Sequence, residues 1–125
     1  VHIGLFCSTP MVALSRNVGR KQAMEMLILG DPCPAEKALE IGLVNRVVGE
    51  DALDVTVQEM TDKILDKSGY TIKVGKEAFY TQLESSVEEA SAYTAKVMAE
   101  NMMSHDAQEG VGAFVEKRKP VWRGK

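Results

Sequence analysis

The chain has 125 residues, 45% of them hydrophobic and 26% charged, the balance of a globular protein with room for one modest domain and one core. Net charge is −3, yet the last nine residues hold five of the 15 basic groups and no acid, so the rest sets ten basic against 18 acidic side chains. Such an acidic body argues against wrapping duplex nucleic acid or coating an anionic membrane, and no apolar run nears the roughly 20 residues of a membrane span.

In chain order the first signal is a helix start. Ser8 or Thr9 can cap a helix with Pro10 at its first position, where the missing N–H leaves nothing unpaired. GRKQAMEMLILG predicts a second helix, stopped at Gly30 by a left-handed turn. DPCPAEKALEIG repeats the grammar, with Pro34 opening and Gly42 closing. LVNRVV, residues 43–48, is short and rich in β-branched residues, and predicts the one strand. From Asp51 a longer helix places Leu53, Val57, Met60 and Ile64 within about 60° of one another, with Gly69 as its stop. TIKVGKEAFYTQL is helical by pattern, although Gly75 costs it about 1 kcal/mol relative to alanine. Ser85 with Glu88 predicts a capping box for a helix carrying Val87, Ala90, Val97, Met98 and Met102 on one stripe. Asp106 with Glu109 predicts another box, and Pro120 a stop to the last helix.

The pattern is therefore mainly α, with one six-residue strand. A lone strand leaves its backbone groups unpaired, so this one requires a sheet that the sequence does not supply. On physical grounds alone, a fragment of a longer chain is expected.

Chemistry-bearing patterns are sparse. No serine sits in a G-x-S-x-G setting, and the glycines occur singly rather than as a phosphate-binding loop. His105 and Asp106 could form a base and its orienting carboxylate, but a helix cap accounts for Asp106 more simply. Cys7 and Cys33 form no CxxC pair and suit a reducing compartment; with His2 and His105 far apart, no metal site is expected. The methionines at helical spacing read as core or subunit interface, the alternative being an adaptable binding surface. In GVGAFVEKRKPVW, Ala113, Phe114 and Lys117 lie within about one helical turn. An aromatic face beside a cation can seat a phosphorylated nucleotide, the ring against a base and the lysine against phosphate. A solvated basic terminus is the competing reading.

Two longer stretches are recognisable. VGRKQAMEMLILGDPCPAEKALEIGLVNRVV resembles the central-to-C-terminal part of the enoyl-CoA hydratase/isomerase (crotonase) superfamily, and QEGVGAFVEKRKPVW resembles its last helix. The opening IGLFCSTPMVALSR looks like one branch of that family, and many hydratases have GGTQRL where this chain has PMVALSR. The resemblance implies a mainly α fragment of an α/β fold built from a ββα spiral. Residues 1–50 would form the edge of the spiral core, and residues 51–125 a helical region for oligomerisation and CoA contact.

It also implies acyl-CoA thioester chemistry, in which an oxyanion hole stabilises a thioester enolate and hydratase members add two glutamates to handle water. Those segments align upstream of Val1, and in the resembled branch the second glutamate position is commonly another residue. No catalytic residue is therefore expected here, and these residues alone are expected to be inactive. Phe114 and Lys117 match family positions that reach the adenine and phosphate of CoA on a neighbouring subunit, and Met98 matches an aromatic position that it would replace with an apolar contact. Leu5 and Phe6 are candidates for the acyl-pocket wall or, equally, for core packing. The implied partners are an acyl-CoA thioester and further copies in a homo-trimer or hexamer, without nucleic acid or membrane; coenzyme A enters as part of the substrate, with no separate cofactor. A soluble protein of the mitochondrial matrix or bacterial cytoplasm fits this reading. The alternative is a non-catalytic CoA-binding or assembly fragment, or a member without hydratase activity.

Overall fold

In a computed structural model the described residues are Val1–Lys125, and they form seven α-helices without a strand. The helices are α1 Pro10–Asn17, α2 Arg20–Leu29, α3 Ala35–Glu40, α4 Leu53–Leu65, α5 Gly69–Gln82, α6 Val87–Met102 and α7 His105–Glu116, with a 3₁₀ turn at Glu50–Ala52 before α4. None is long and apolar enough to cross a membrane. The chain divides into two compact units, Val1–Asp54 and Val55–Lys125.

In the first unit α1 packs on α2. Pro10 opens α1 as expected, but the Thr9 side chain makes no capping bond. Gly30 ends α2 in the left-handed conformation (φ 70°), and a Cβ there would lie 2.9 Å from the Val1 side chain, so both turn and close approach require glycine. The predicted strand at 43–48 is absent. Its first two amides are already used, since Leu43 N–H and Val44 N–H both donate to Ala38 O (2.8 and 3.3 Å). With no neighbouring strand, the β-branched run has no ladder to join.

In the second unit α5, α6 and α7 pack against one another. Gly69 does not end α4, which stops at Leu65; it opens α5 behind the N-cap Ser68, whose Oγ accepts from Thr71 N–H. The capping box of α6 lies one residue later than the spacing of Ser85 and Glu88 suggested. Ser86 Oγ accepts from Glu89 N–H (3.3 Å), while the Glu89 carboxylate accepts from the Ser86 hydroxyl (2.6 Å) and from Ser86 N–H (3.1 Å), which together hold Glu89 below the usual carboxylate range. The doubled Ser-Ser and Glu-Glu allow both registers, and the extended Ser86 backbone selects this one. The inward side of α6 carries Ala90, Tyr93, Thr94 and Val97, whereas Val87, Met98 and Met102 of the expected stripe are exposed.

The buried apolar set is Val18, Ala23, Ala38, Ala78 and Ala113, one valine and four alanines shared between two units rather than a single core. Large apolar side chains, including Ile3, Val87, Met103 and Phe114, stand outside.

Candidate functional site

The end of α7 is built around an unusual cap. Arg118 N–H donates to Ala113 O (3.0 Å) and Lys117 N–H to Phe114 O (3.3 Å), the paired bonds of a Schellman motif. The left-handed position of that motif normally takes glycine; here it is Lys117, at φ 55° and ψ 40°, the one non-glycine residue with positive φ. The helix thus ends at Glu116, before Pro120 can stop it, and Lys117 leaves the helical face that the sequence spacing assigned to it. Phe114, one turn earlier, is 85% exposed. Met98 is exposed on α6. Leu5 and Phe6 belong to the first unit, where both are exposed ahead of α1 and Phe6 O accepts from the Ser8 backbone N–H and side-chain hydroxyl (2.7 and 3.2 Å).

Beyond the cap the chain turns back along α7. Val121 N–H donates to Glu109 Oε1 (2.8 Å), and Arg118 grips the same carboxylate with two bonds of 2.6 and 2.9 Å. Trp122 lies across α7 at Gly110, where a Cβ would meet the indole at 3.3 Å, and its Nε1–H donates to Asp66 O (2.8 Å). Arg123 N–H and Gly124 N–H donate to the Asp106 carboxylate (2.8 and 3.0 Å), and Asp106 N–H donates to Lys125 O (3.0 Å). The anchor points 113, 109–110 and 106 share one side of the helix, since residues three or four apart stack along it.

Asp106 is therefore not a cap, the role its spacing with Glu109 suggested. Ser104 caps α7 by accepting from Ala107 N–H, and Asp106, only 1% exposed, binds the tail instead. Its carboxyl is held at about 2 by the Ser68 hydroxyl (2.6 Å) and the Arg123 amide, against burial that opposes ionisation. His105 Nδ1 lies 3.4 Å from Asp106 Oδ1, a fourth and longer contact to the same carboxylate. Glu109 is held at about 2 by Arg118 and the Val121 amide, and Arg118 is pushed up in return by Glu109 and Glu116. An open groove of about 510 Å³ runs beside α7, lined by Ile72, Asn101, Gly110, Val111, Phe114 and Trp122; Asn101 Oδ1 is buried there without a partner. Cys7 and Cys33 are free thiols, and no three potential ligand side chains converge where they could hold a metal ion.

Over residues 1–125 the chain matches the profile of the enoyl-CoA hydratase/isomerase family. The chain belongs to that family. Among the curated hydratase/isomerase relatives it is 47% identical over 122 residues to the mitochondrial enoyl-CoA hydratase domain-containing protein 3 of Xenopus laevis, covering 98% of this chain and 42% of the frog protein. Among solved structures, an enoyl-CoA hydratase of Mycobacterium smegmatis superposes with a TM-score of 0.94 at 52% identity, over 97% of this chain and 47% of that one. Human enoyl-CoA hydratase domain-containing protein 3 gives 0.93 at 45% identity, over 97% and 48%. The chain thus spans less than half the length of the relatives it matches, and its helices correspond to a mainly α portion of the crotonase fold.

What sequence reading missed at this site is the returning tail. Its signals are a glycine inside a helical pattern and a tryptophan two residues after Pro120, neither of which names its partner without the fold.

Proposed function

We propose that these residues are the C-terminal part of an acyl-CoA-binding crotonase-family protein, and that the end of α7 clamps the nucleotide of coenzyme A held by a neighbouring copy. In this reading the Phe114 ring packs on adenine, the Lys117 ammonium pairs with phosphate as a point charge, and Met98 adds an apolar contact. Leu5 and Phe6 belong to the acyl-pocket wall. The reaction proposed for the whole protein is water addition to a 2-enoyl-CoA in fatty-acid metabolism, a lyase activity, with oxyanion hole and glutamates outside these residues. Coenzyme A then serves as part of the substrate, with no further cofactor. A homo-trimer or hexamer would cover the apolar side chains now exposed on α6 and α7, and a mitochondrial matrix or bacterial cytoplasmic setting supplies acyl-CoA.

The observation that carries this reading is Lys117 in a left-handed cap beside an exposed Phe114. The left-handed turn that folds the tail back along α7 is met at least cost by glycine, so a lysine kept there under strain supports a role for its side chain. The test uses the full-length protein carrying this sequence, titrated with coenzyme A by calorimetry and assayed with crotonyl-CoA. Phe114→Ala and Lys117→Ala should each weaken CoA binding roughly five- to tenfold, as the loss of about 1 kcal/mol or slightly more implies. Unchanged affinity in both variants would refute the clamp.

A second reading, CoA binding without hydratase turnover, is favoured by the start of α1, where Thr9-Pro10 leads the helix without a side-chain cap in place of the glycine-rich hydratase stretch. Tight CoA binding with no loss of crotonyl-CoA absorbance would select it.

A further inference from the structure

We propose that the returning tail, residues 117–125, is a positioning strap for the nucleotide clamp, with Trp122 and Glu109 as its positioning residues. The inference rests on the clamp reading of Phe114 and Lys117.

α7 holds its own last turn poorly. It is a 12-residue helix with glycines, poor helix formers, at 110 and 112, and isolated helices of that length are marginal in water. Only Asp106 and Ala113 are buried along it, so packing secures one narrow side and leaves Phe114 and Val115 in solvent. The strap supplies the missing restraint at three successive turns, through the Arg118–Ala113 cap bond, the Glu109 contacts to Arg118 and Val121, and the Asp106 contacts to Arg123, Gly124 and Lys125.

Trp122 is the central fastener. Its ring rests where Gly110 lacks a Cβ, which gives that helix-weakening glycine a purpose. Its N–H reaches the Asp66 carbonyl beyond the end of α4, so the indole ties α7 to a separate part of the same unit. Phe114 and Trp122 line one groove, so the position of the indole bounds the space into which the phenyl ring can swing. Fixing a contact group before the ligand arrives raises affinity without any new contact. Trp122 and Glu109 act on coenzyme A through α7 and do not touch it.

The experiment is a double-mutant cycle on the full-length protein, read as the Kd for coenzyme A by calorimetry with circular dichroism on each variant. Trp122→Ala should raise Kd roughly tenfold, Trp122→Phe less than threefold because the ring stays on Gly110, and Glu109→Gln several-fold. Trp122→Ala added to the Phe114→Ala, Lys117→Ala pair should cost less than twofold further, since a strap has nothing to position once both clamp groups are gone. A purely structural tail would instead give additive losses and no rescue by phenylalanine. If Phe114→Ala weakens binding while Trp122→Ala and Glu109→Gln leave Kd within twofold, the strap is refuted and the clamp stands. If Phe114→Ala and Lys117→Ala both leave Kd unchanged, clamp and strap fall together. Loss of helical signal in both Trp122→Ala and Glu109→Gln would also overturn positioning in favour of a structural tail.

Discussion

Replacing Lys117 with glycine should raise stability and lower affinity for coenzyme A in the same protein. The backbone at 117 sits at φ 55° and ψ 40°, a conformation that costs an L-residue about 1–2 kcal/mol through contact of its Cβ with the following carbonyl. Glycine removes that cost but brings about 0.5–1 kcal/mol of extra unfolded-chain entropy, leaving a net gain of roughly 0.5–1 kcal/mol. In the full-length protein, longer than the 150–250 residues for which about 2–4 °C per kcal/mol holds, the melting temperature should rise by about 1–2 °C. Alanine keeps the Cβ and the strain, so Lys117→Ala should melt close to the parent. Both variants lose the ammonium, and an exposed ion pair worth about 1 kcal/mol corresponds to roughly a fivefold weaker Kd. Differential scanning calorimetry and CoA titration on the same three proteins decide the matter. A glycine variant no more stable than the alanine variant would refute the strain argument. A glycine variant that is more stable and binds CoA undiminished would show that the lysine is not kept there for phosphate.

The tail should open in acid. Asp106 and Glu109 are both held at about 2, below ordinary values of 3.8 and 4.5, so their contribution is complete above about pH 4.5 and is lost as pH falls toward 2; Trp122 fluorescence shifting to the red over that window, and earlier in Asp106→Asn, is the expected record. Ser86→Ala should destabilise α6 by about 1 kcal/mol while Ser85→Ala is near neutral, and reversed effects in thermal melts would restore the earlier capping register. Gly30→Ala should cost upward of about 1 kcal/mol in a denaturant titration, because it adds left-handed strain to a 2.9 Å approach to Val1.

Local grammar was readable where one residue type has one physical use. Gly30 and Gly42 stop α2 and α3 with positive φ, and Pro10 opens α1, as their chemistry requires. The family resemblance in residues 18–48 and 108–122 located the chain within a fold whose sheet it does not contain. Reading failed where a choice depended on a distant partner. The 43–48 run had strand composition but no ladder, Gly69 could end one helix or begin the next, and Asp106 had the look of a cap until the tail arrived at it from 17 and 18 residues away. Lys117 is the sharper lesson. Helical spacing placed its ammonium beside Phe114 by continuing a helix that in fact ends one residue earlier, so the two are neighbours through the cap rather than through the helix face.

The returning tail also sets an order of events during synthesis. Every group on α7 that the strap engages is made before the strap itself. At about 5–20 residues per second, the nine residues from Lys117 to Lys125 take about half a second to two seconds to add. Through that interval Asp106 and Glu109 lack their backbone donors, Gly110 lies bare, and Phe114, Val111 and Val115 form an unrestrained apolar ridge. Because the ribosome still shields the newest residues, α7 and its strap can meet only once both have emerged, which makes closure of the strap a late step.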